Sequence, residues 1–239
     1  MFHPEGPSFF ELIAQALVST ERGYDMLAPK FDHTPFRTPD AILEAMAAQI
    51  GPVRSIGSAL DVCCGTGAAM RWLRPLCRDR IVGLDFSDGM LAEARRRLAD
   101  APGNAAIELV RGDALAMPFD SELDVVTCVG AFGHILPKDE PRFVAGVARA
   151  LRPGGRFVFV TAERSAIRAP ERFFARAFNA AMHARNAVLK PEFVMYYLTF
   201  LWPDAGVLLE QAGLRVEVVR GTFPPPYARA LMVIATRPG

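Results

Sequence analysis

A short apolar run that stops on a glycine turn and restarts as a helix constrains this chain more than any other feature. Residues 57–67 read Gly-Ser-Ala-Leu-Asp-Val-Cys-Cys-Gly-Thr-Gly, and the helical pattern Ala68, Trp72, Leu73 and Leu76 follows at once. Such a strand–turn–helix junction aims backbone N–H groups at whatever lies above the sheet. The alternation continues. Apolar strands are expected at 80–85, 106–110, 124–130 and 156–161, with helical patterns between them such as Met90, Leu91, Ala94 and Leu98, then Phe143, Val144, Val147, Ala148 and Leu151. Strands apolar almost throughout are covered on both faces, which predicts an α/β Rossmann-like three-layer sandwich around a mostly parallel sheet. Arg152-Pro153-Gly154-Gly155 should break the chain before the fifth strand. Strands at 214–221 and 231–236 are joined through Pro224-Pro225-Pro226-Tyr227, too short for a helical crossover, so this pair must run antiparallel. The expectation is seven strands with the last reversed. Two N-terminal helices precede them, one over 8–19 and one capped by Thr38, begun by Pro39 and running to Ile50.

Two ligand chemistries use a junction of this kind. A dinucleotide site wants Gly-x-Gly-x-x-Gly, the third glycine permitting close helix–strand packing. Here the series is Gly65, Gly67, Met70, and the bulky thioether disfavours the pyrophosphate form, leaving an NAD-dependent oxidoreductase as the second choice. The string Asp61-x-Cys63-x-Gly65-x-Gly67 resembles motif I of the class I S-adenosylmethionine-dependent methyltransferases, with Cys63 where a third glycine usually stands. Leu60–Gly67 and Gly83–Leu91 together resemble the ubiquinone/menaquinone C-methyltransferase-like branch (types 11 and 25). Asp85 ends a strand about twenty residues past the turn, where a carboxylate can accept both ribose hydroxyls, while Ser87 is placed to cap the next helix. The resemblance implies S-adenosyl-L-methionine as cofactor, held by Asp61, Cys63, Gly65, Thr66, Gly67, Asp85, Met90 and Val129. It further implies Phe86 against the adenine, Asp113 accepting the adenine amino proton and the Ala114 N–H meeting a ring nitrogen. Arg22–Asp32 resembles the "YD…YD" lead-in of small-molecule methyltransferases, with Phe31 as the second aromatic. That segment closes over the cofactor in relatives, and Tyr24 inherits a contact to the methionine carboxylate. Arg37 has the charge for the same contact but reads as an exposed residue ahead of a helix start.

A sulfonium methyl is already electrophilic, so such an enzyme aligns a nucleophile and excludes water. His134, just past the fourth strand, is the expected general base, because its ordinary pKa lies near neutrality. Glu163 is the weaker alternative, and His3, His33 and His183 have no supporting context. Residues 164–202 are rich in aromatic and Met side chains and form an expected helical lid over an apolar substrate pocket, with Phe174, Phe178 and Met182 at packing spacing. The domain reading is therefore an N-terminal helical cap over 1–54 and a methyltransferase domain over 55–239 with the lid inserted. A net charge of +1 gives no reason to expect nucleic acid. No run of about 18 apolar residues predicts a membrane span, and no secretory leader is evident. Cys63, Cys64, Cys77 and Cys128 have neither metal-ligand nor disulfide-framework spacing. Cys63 and Cys64 should point to opposite faces. The expected molecule is cytoplasmic, a monomer or homodimer, binds no metal, and transfers methyl groups to a small apolar or aromatic molecule. A non-catalytic cofactor-binding relative is the remaining alternative.

Overall fold

A computed structural model describes residues 3–239. The strands β1 (Ile56–Val62), β2 (Cys77–Asp85), β3 (Ala106–Arg111), β4 (Leu123–Cys128), β5 (Leu151–Ala162), β6 (Arg215–Val219) and β7 (Ala230–Thr236) form one sheet. Their order is β3-β2-β1-β4-β5-β7-β6. Neighbours from β3 to β5 are parallel, and β7 runs antiparallel to both β5 and β6. This is the expected three-layer sandwich with a reversed last strand.

The near-continuous apolar runs are explained by period-two alternation into two cores. Ala59, Ile81, Val125 and Val158 pack against α3 (Asp40–Ile50), α4 (Ala68–Leu73) and α5 (Asp88–Leu98) on one face. Leu60, Val82, Val126 and Phe157 meet α6 (Glu140–Ala150) and α8 (Asp204–Gln211) on the other. Phe143, Phe157 and Phe159 are fully buried, each stabilising the fold by about 1.5–3 kcal/mol of transfer free energy. Cys64 joins the first core and Cys63 borders the second, so the adjacent thiols point apart as expected, and all four cysteines are free.

Helices α1 (Phe9–Leu17) and α2 (Thr20–Leu27) lie N-terminal to the sheet and continue into a 3-10 turn over Ala28–His33. Ser8 and Glu11 form a capping box that starts α1. The expected Thr38 cap does not form. Pro39 itself occupies the cap position of α3, so Thr38 stands one residue too early to reach the first-turn N–H groups. The Arg152–Gly155 break is also milder than expected. β5 begins at Leu151, directly after α6, and absorbs these residues as a register shift between its pairings with Leu123 and Val125. Between β5 and α8 the chain makes a 20-residue helix, α7 (Ala169–Val188), and returns through an irregular loop. Of the expected packing stripe on α7, Met182 is buried and Phe178 half-buried, whereas Phe174 is exposed. A step of four residues drifts about 40° around a helix, so two steps carry Phe174 to the solvent edge.

Candidate functional site

Most of the expected site residues gather at the carboxyl ends of β1, β2 and β4, where ligands bind in open α/β sheets. Past Val62 the backbone turns sharply: Cys63 has φ +56°, Gly65 +52° and Gly67 +83°. A left-handed backbone explains why glycine would suit position 63, and here a cysteine carries it. Gly67 caps α4 and does not reach the ligand cavity. The dinucleotide-type close approach is absent for a visible reason. Met70 is fully buried, and its sulfur would sit 2.5 Å from a Cβ on Gly83. The space that a third glycine would leave on the helix has been moved to the strand.

A cavity opens above this turn, lined by Tyr24, Phe31, Arg37, Asp61, Cys63, Gly65, Thr66, Asp85, Phe86, Met90, Val129, His134 and neighbouring residues. Ten of the predicted site residues therefore converge on one space. Asp113 and Ala114 do not line it: Asp113 is exposed and accepts the Leu115 N–H at 2.8 Å, closing a 3-10 turn that contains Ala114.

Two acids dominate the cavity floor. Asp85 is buried, and its two carboxylate oxygens accept the N–H groups of Gly65 (2.9 Å) and Ser87 (3.0 Å). The Gly65 N–H, expected to face a ligand, is thus consumed by the acid. Burial raises the Asp85 pKa, with the backbone N–H bonds pulling against it. Each oxygen retains acceptor capacity toward the cavity. Asp61 is buried, accepts the Thr127 hydroxyl at 2.8 Å, and is pushed up to about 7, by burial first and then by the Asp85 charge. Arg37, read from sequence as an exposed residue, lines the same cavity and pairs with Asp40 at 2.7 Å and Asp32 at 3.6 Å.

The N-terminal segment forms the roof. In Tyr24-Asp25 and Phe31-Asp32 each aromatic faces the cavity and each acid ties back to the core. Asp25 accepts the Ser87 hydroxyl (2.6 Å) and the Gly89 N–H (2.9 Å) at the start of α5, where a negative charge complements the helix dipole. Asp32 accepts the Thr66 hydroxyl at 2.6 Å and pairs with Arg97 at 2.9 Å.

Tyr24 meets His134 across the roof. His134 Nδ1 lies 2.6 Å from the Val194 carbonyl, which can only accept, so Nδ1 carries the proton. Nε2 then accepts from the Tyr24 hydroxyl at 2.7 Å. Burial lowers the His134 pKa and raises that of Tyr24, which keeps both neutral. Tyr24 is therefore engaged with the histidine. The pair stands between the first cavity and a second chamber lined by Phe36, Val160, Met195, Tyr197 and Leu198, among others, with no acidic, Lys or Arg side chain in its wall. Glu163 lines neither space and pairs with Arg220 at 2.9 Å. His183 stacks on Tyr196 of the second chamber's wall, and His3 on His33; the three histidines themselves line neither space.

Residues 59–155 match the methyltransferase domain family. Over that stretch, less than half of the chain, the sequence is similar to a methyltransferase domain. Its family match covers the glycine turn, both buried acids and His134. Over 152 residues it is 38% identical to the 2-phytyl-1,4-naphtoquinone methyltransferase of Thermosynechococcus vestitus, covering 62% of this chain and 63% of that protein. The demethylmenaquinone methyltransferase of Shouchella clausii is 31% identical over 141 residues, 58% of this chain and 59% of the relative. In both, the match spans less than two thirds of the relative's length. Among solved structures, the DhpI–SAH complex superposes with a TM-score of 0.65 at 23% identity, covering 97% of this chain and 99% of that one. These likenesses, with Met70 seated on Gly83, do not favour the oxidoreductase reading.

Proposed function

We propose that this chain is an S-adenosylmethionine-dependent methyltransferase whose acceptor is a small, uncharged, quinone-like aromatic molecule. The observation that carries the reading is the pairing of two buried acids, Asp61 and Asp85, with Arg37 and Phe86 around one cavity that adjoins an uncharged aromatic chamber. The donor set fits the cofactor: Asp61 for the methionyl ammonium, Arg37 for its carboxylate, Asp85 for the ribose hydroxyls, and Phe86 with Met90 for the adenine. Bound there, the sulfonium supplies a methyl group that needs no activation by protein groups. The chain's own residues orient the acceptor, exclude water and handle its proton. An acceptor hydroxyl that takes the place of Tyr24 on Nε2 of His134 gives up its proton to that nitrogen, and Val194 holds the imidazole in the tautomer that can receive it. The segment 164–202 acts as a lid, and the names of the quinone methyltransferase relatives support the acceptor class.

The test pairs binding with turnover. Calorimetry should detect S-adenosylhomocysteine and not NADH, and Asp85→Ala should weaken the former at least about tenfold, as expected for lost charge-assisted hydrogen bonds. A panel of demethylated naphthoquinols and phenols should yield methylated product, reduced about 10²-fold or more by His134→Gln with cofactor affinity unchanged. NADH binding without S-adenosylhomocysteine binding would overturn the assignment. Tight cofactor binding without turnover of any acceptor would favour a non-catalytic role.

A further inference from the structure

Helix α7 turns its polar-free side outward. Ala175, Phe178, Met182 and Asn186 face the protein, and Met182 and Asn186 are buried. On the opposite side Phe173, Ala177, Ala180, Ala184 and Val188 recur at three- and four-residue steps, all exposed, with Phe174 beside them. Phe173 is 69% exposed, Phe174 71% and Val188 82%. Helix α1 repeats the inversion. Phe9, Phe10, Ile13 and Leu17 are exposed along one stripe, while polar Gln15 is the buried residue. Arg185 joins the two helices, donating to the carbonyls of Ala16 (2.9 Å) and Val18 (3.0 Å) at the end of α1. Adjoining outward apolar stripes of this size signal a surface that something covers.

Charge identifies what covers it. The segment 164–192 holds Arg164, Arg168, Arg172, Arg176, Arg185 and Lys190 against only Glu171 and Glu192, although the whole chain carries just +1. Arg168, Arg172 and Arg176 recur every fourth residue along one edge of the α7 stripe, and none forms a salt bridge with an acid among the described residues. We propose that α7 and α1 form a docking face for an anionic lipid surface, lying in its plane with the phenylalanines in the acyl boundary and the arginine row on the headgroups. A second copy of the chain fits less well, since a two-fold contact brings the same net-positive segment against itself. No helix among the described residues is long and apolar enough to span a membrane, so this contact is peripheral. Phe178 packs edge-on against Tyr197 at 4.9 Å, and Tyr197 lines the uncharged chamber. Docking therefore leaves the thickness of α7 between the wall of that chamber and the apolar phase.

Vesicle flotation of the full chain tests this without any methyl transfer. The protein should float with vesicles of phosphatidylglycerol mixed into phosphatidylcholine, stay behind with phosphatidylcholine alone, and be released as salt is raised. Phe173→Ser with Phe174→Ser should lower partitioning about tenfold or more, and Arg172→Glu with Arg176→Glu should remove the preference for anionic vesicles. Should the first pair fail to fold by circular dichroism, Phe9→Ser with Phe10→Ser carries the same test on α1. Absence of flotation with either vesicle, or partitioning indifferent to these substitutions, overturns the proposal. So does a dimer in sedimentation velocity that dissolves on substituting the phenylalanines while no vesicle is bound, since the face then belongs between copies.

Discussion

Cys63 holds the tightest local constraint in the site. Its φ of +56° costs an L side chain about 1–2 kcal/mol, while a β-branched residue there is a steric outlier. Cys63→Gly is expected to stay within about 1 kcal/mol of the wild type, the relief of strain offsetting lost packing and the entropy of glycine. Cys63→Val should lose about 2 kcal/mol or more in urea unfolding. Asp61 makes the companion prediction in pH. With its pKa pushed up from 3.8 to about 7, the folded state keeps a proton that the unfolded chain has already lost. Its stability contribution therefore falls as pH rises across that window. Binding of an ammonium needs the carboxylate and runs the other way. Calorimetric affinity for S-adenosylhomocysteine should rise from about pH 6 to about pH 8, and Asp61→Asn should flatten that slope. Asp61 and Asp85 could be picked out from a linear reading because standing at a strand's end is a local property. The 110-residue separation of Tyr24 and His134 leaves no local pattern, and Arg37 looked like surface because only the folded roof brings it inward.

Helix α2 is the element on which cofactor retention is expected to turn. Gly89, which from sequence was one letter of a helix start, faces the backbone of that helix: a Cβ on it would lie 2.8 Å from the Asp25 Cα and 3.0 Å from its carbonyl oxygen. Neither atom can swing aside as a side-chain tip could. Gly89→Ala should therefore push α2 off α5 and destabilise by about 1–3 kcal/mol. It should also speed cofactor dissociation in stopped-flow fluorescence, because the Asp25 clamp on Ser87 and Gly89 loosens with it. An unchanged off-rate would detach α2 from the cofactor's roof. Elements were readable where hydrophobic period alone decides them, as in β1, β2 and β4. They were misread where one residue's position in a cap matters, as at Thr38 and Pro39, or where a bulge absorbs a proline and two glycines, as at the start of β5.

At the scale of the molecule, three chain segments far apart in sequence meet over the sheet, and Arg185 is the fastener. It donates to Ala16 and Val18 of the N-terminal helices, to Asn186 beside it, and to Pro191 of the returning loop. That loop in turn donates the Val194 N–H to the Thr20 hydroxyl oxygen and offers the Val194 carbonyl to His134. The architecture of the sheet followed from strand–helix alternation, but this assembly did not, because it rests on single polar contacts between segments whose own patterns are silent about each other. Roof and return loop should then open as one cooperative unit above a more stable sheet. Arg185→Ala removes charged hydrogen bonds worth about 1.5–3 kcal/mol each when sheltered, and less here where the side chain is half-exposed. Hydrogen exchange should accelerate together in residues 9–33 and 189–200, by about tenfold or more, with β1, β4 and β5 unchanged. Acceleration confined to α7 would mean that the roof stands independently of the loop that aims His134.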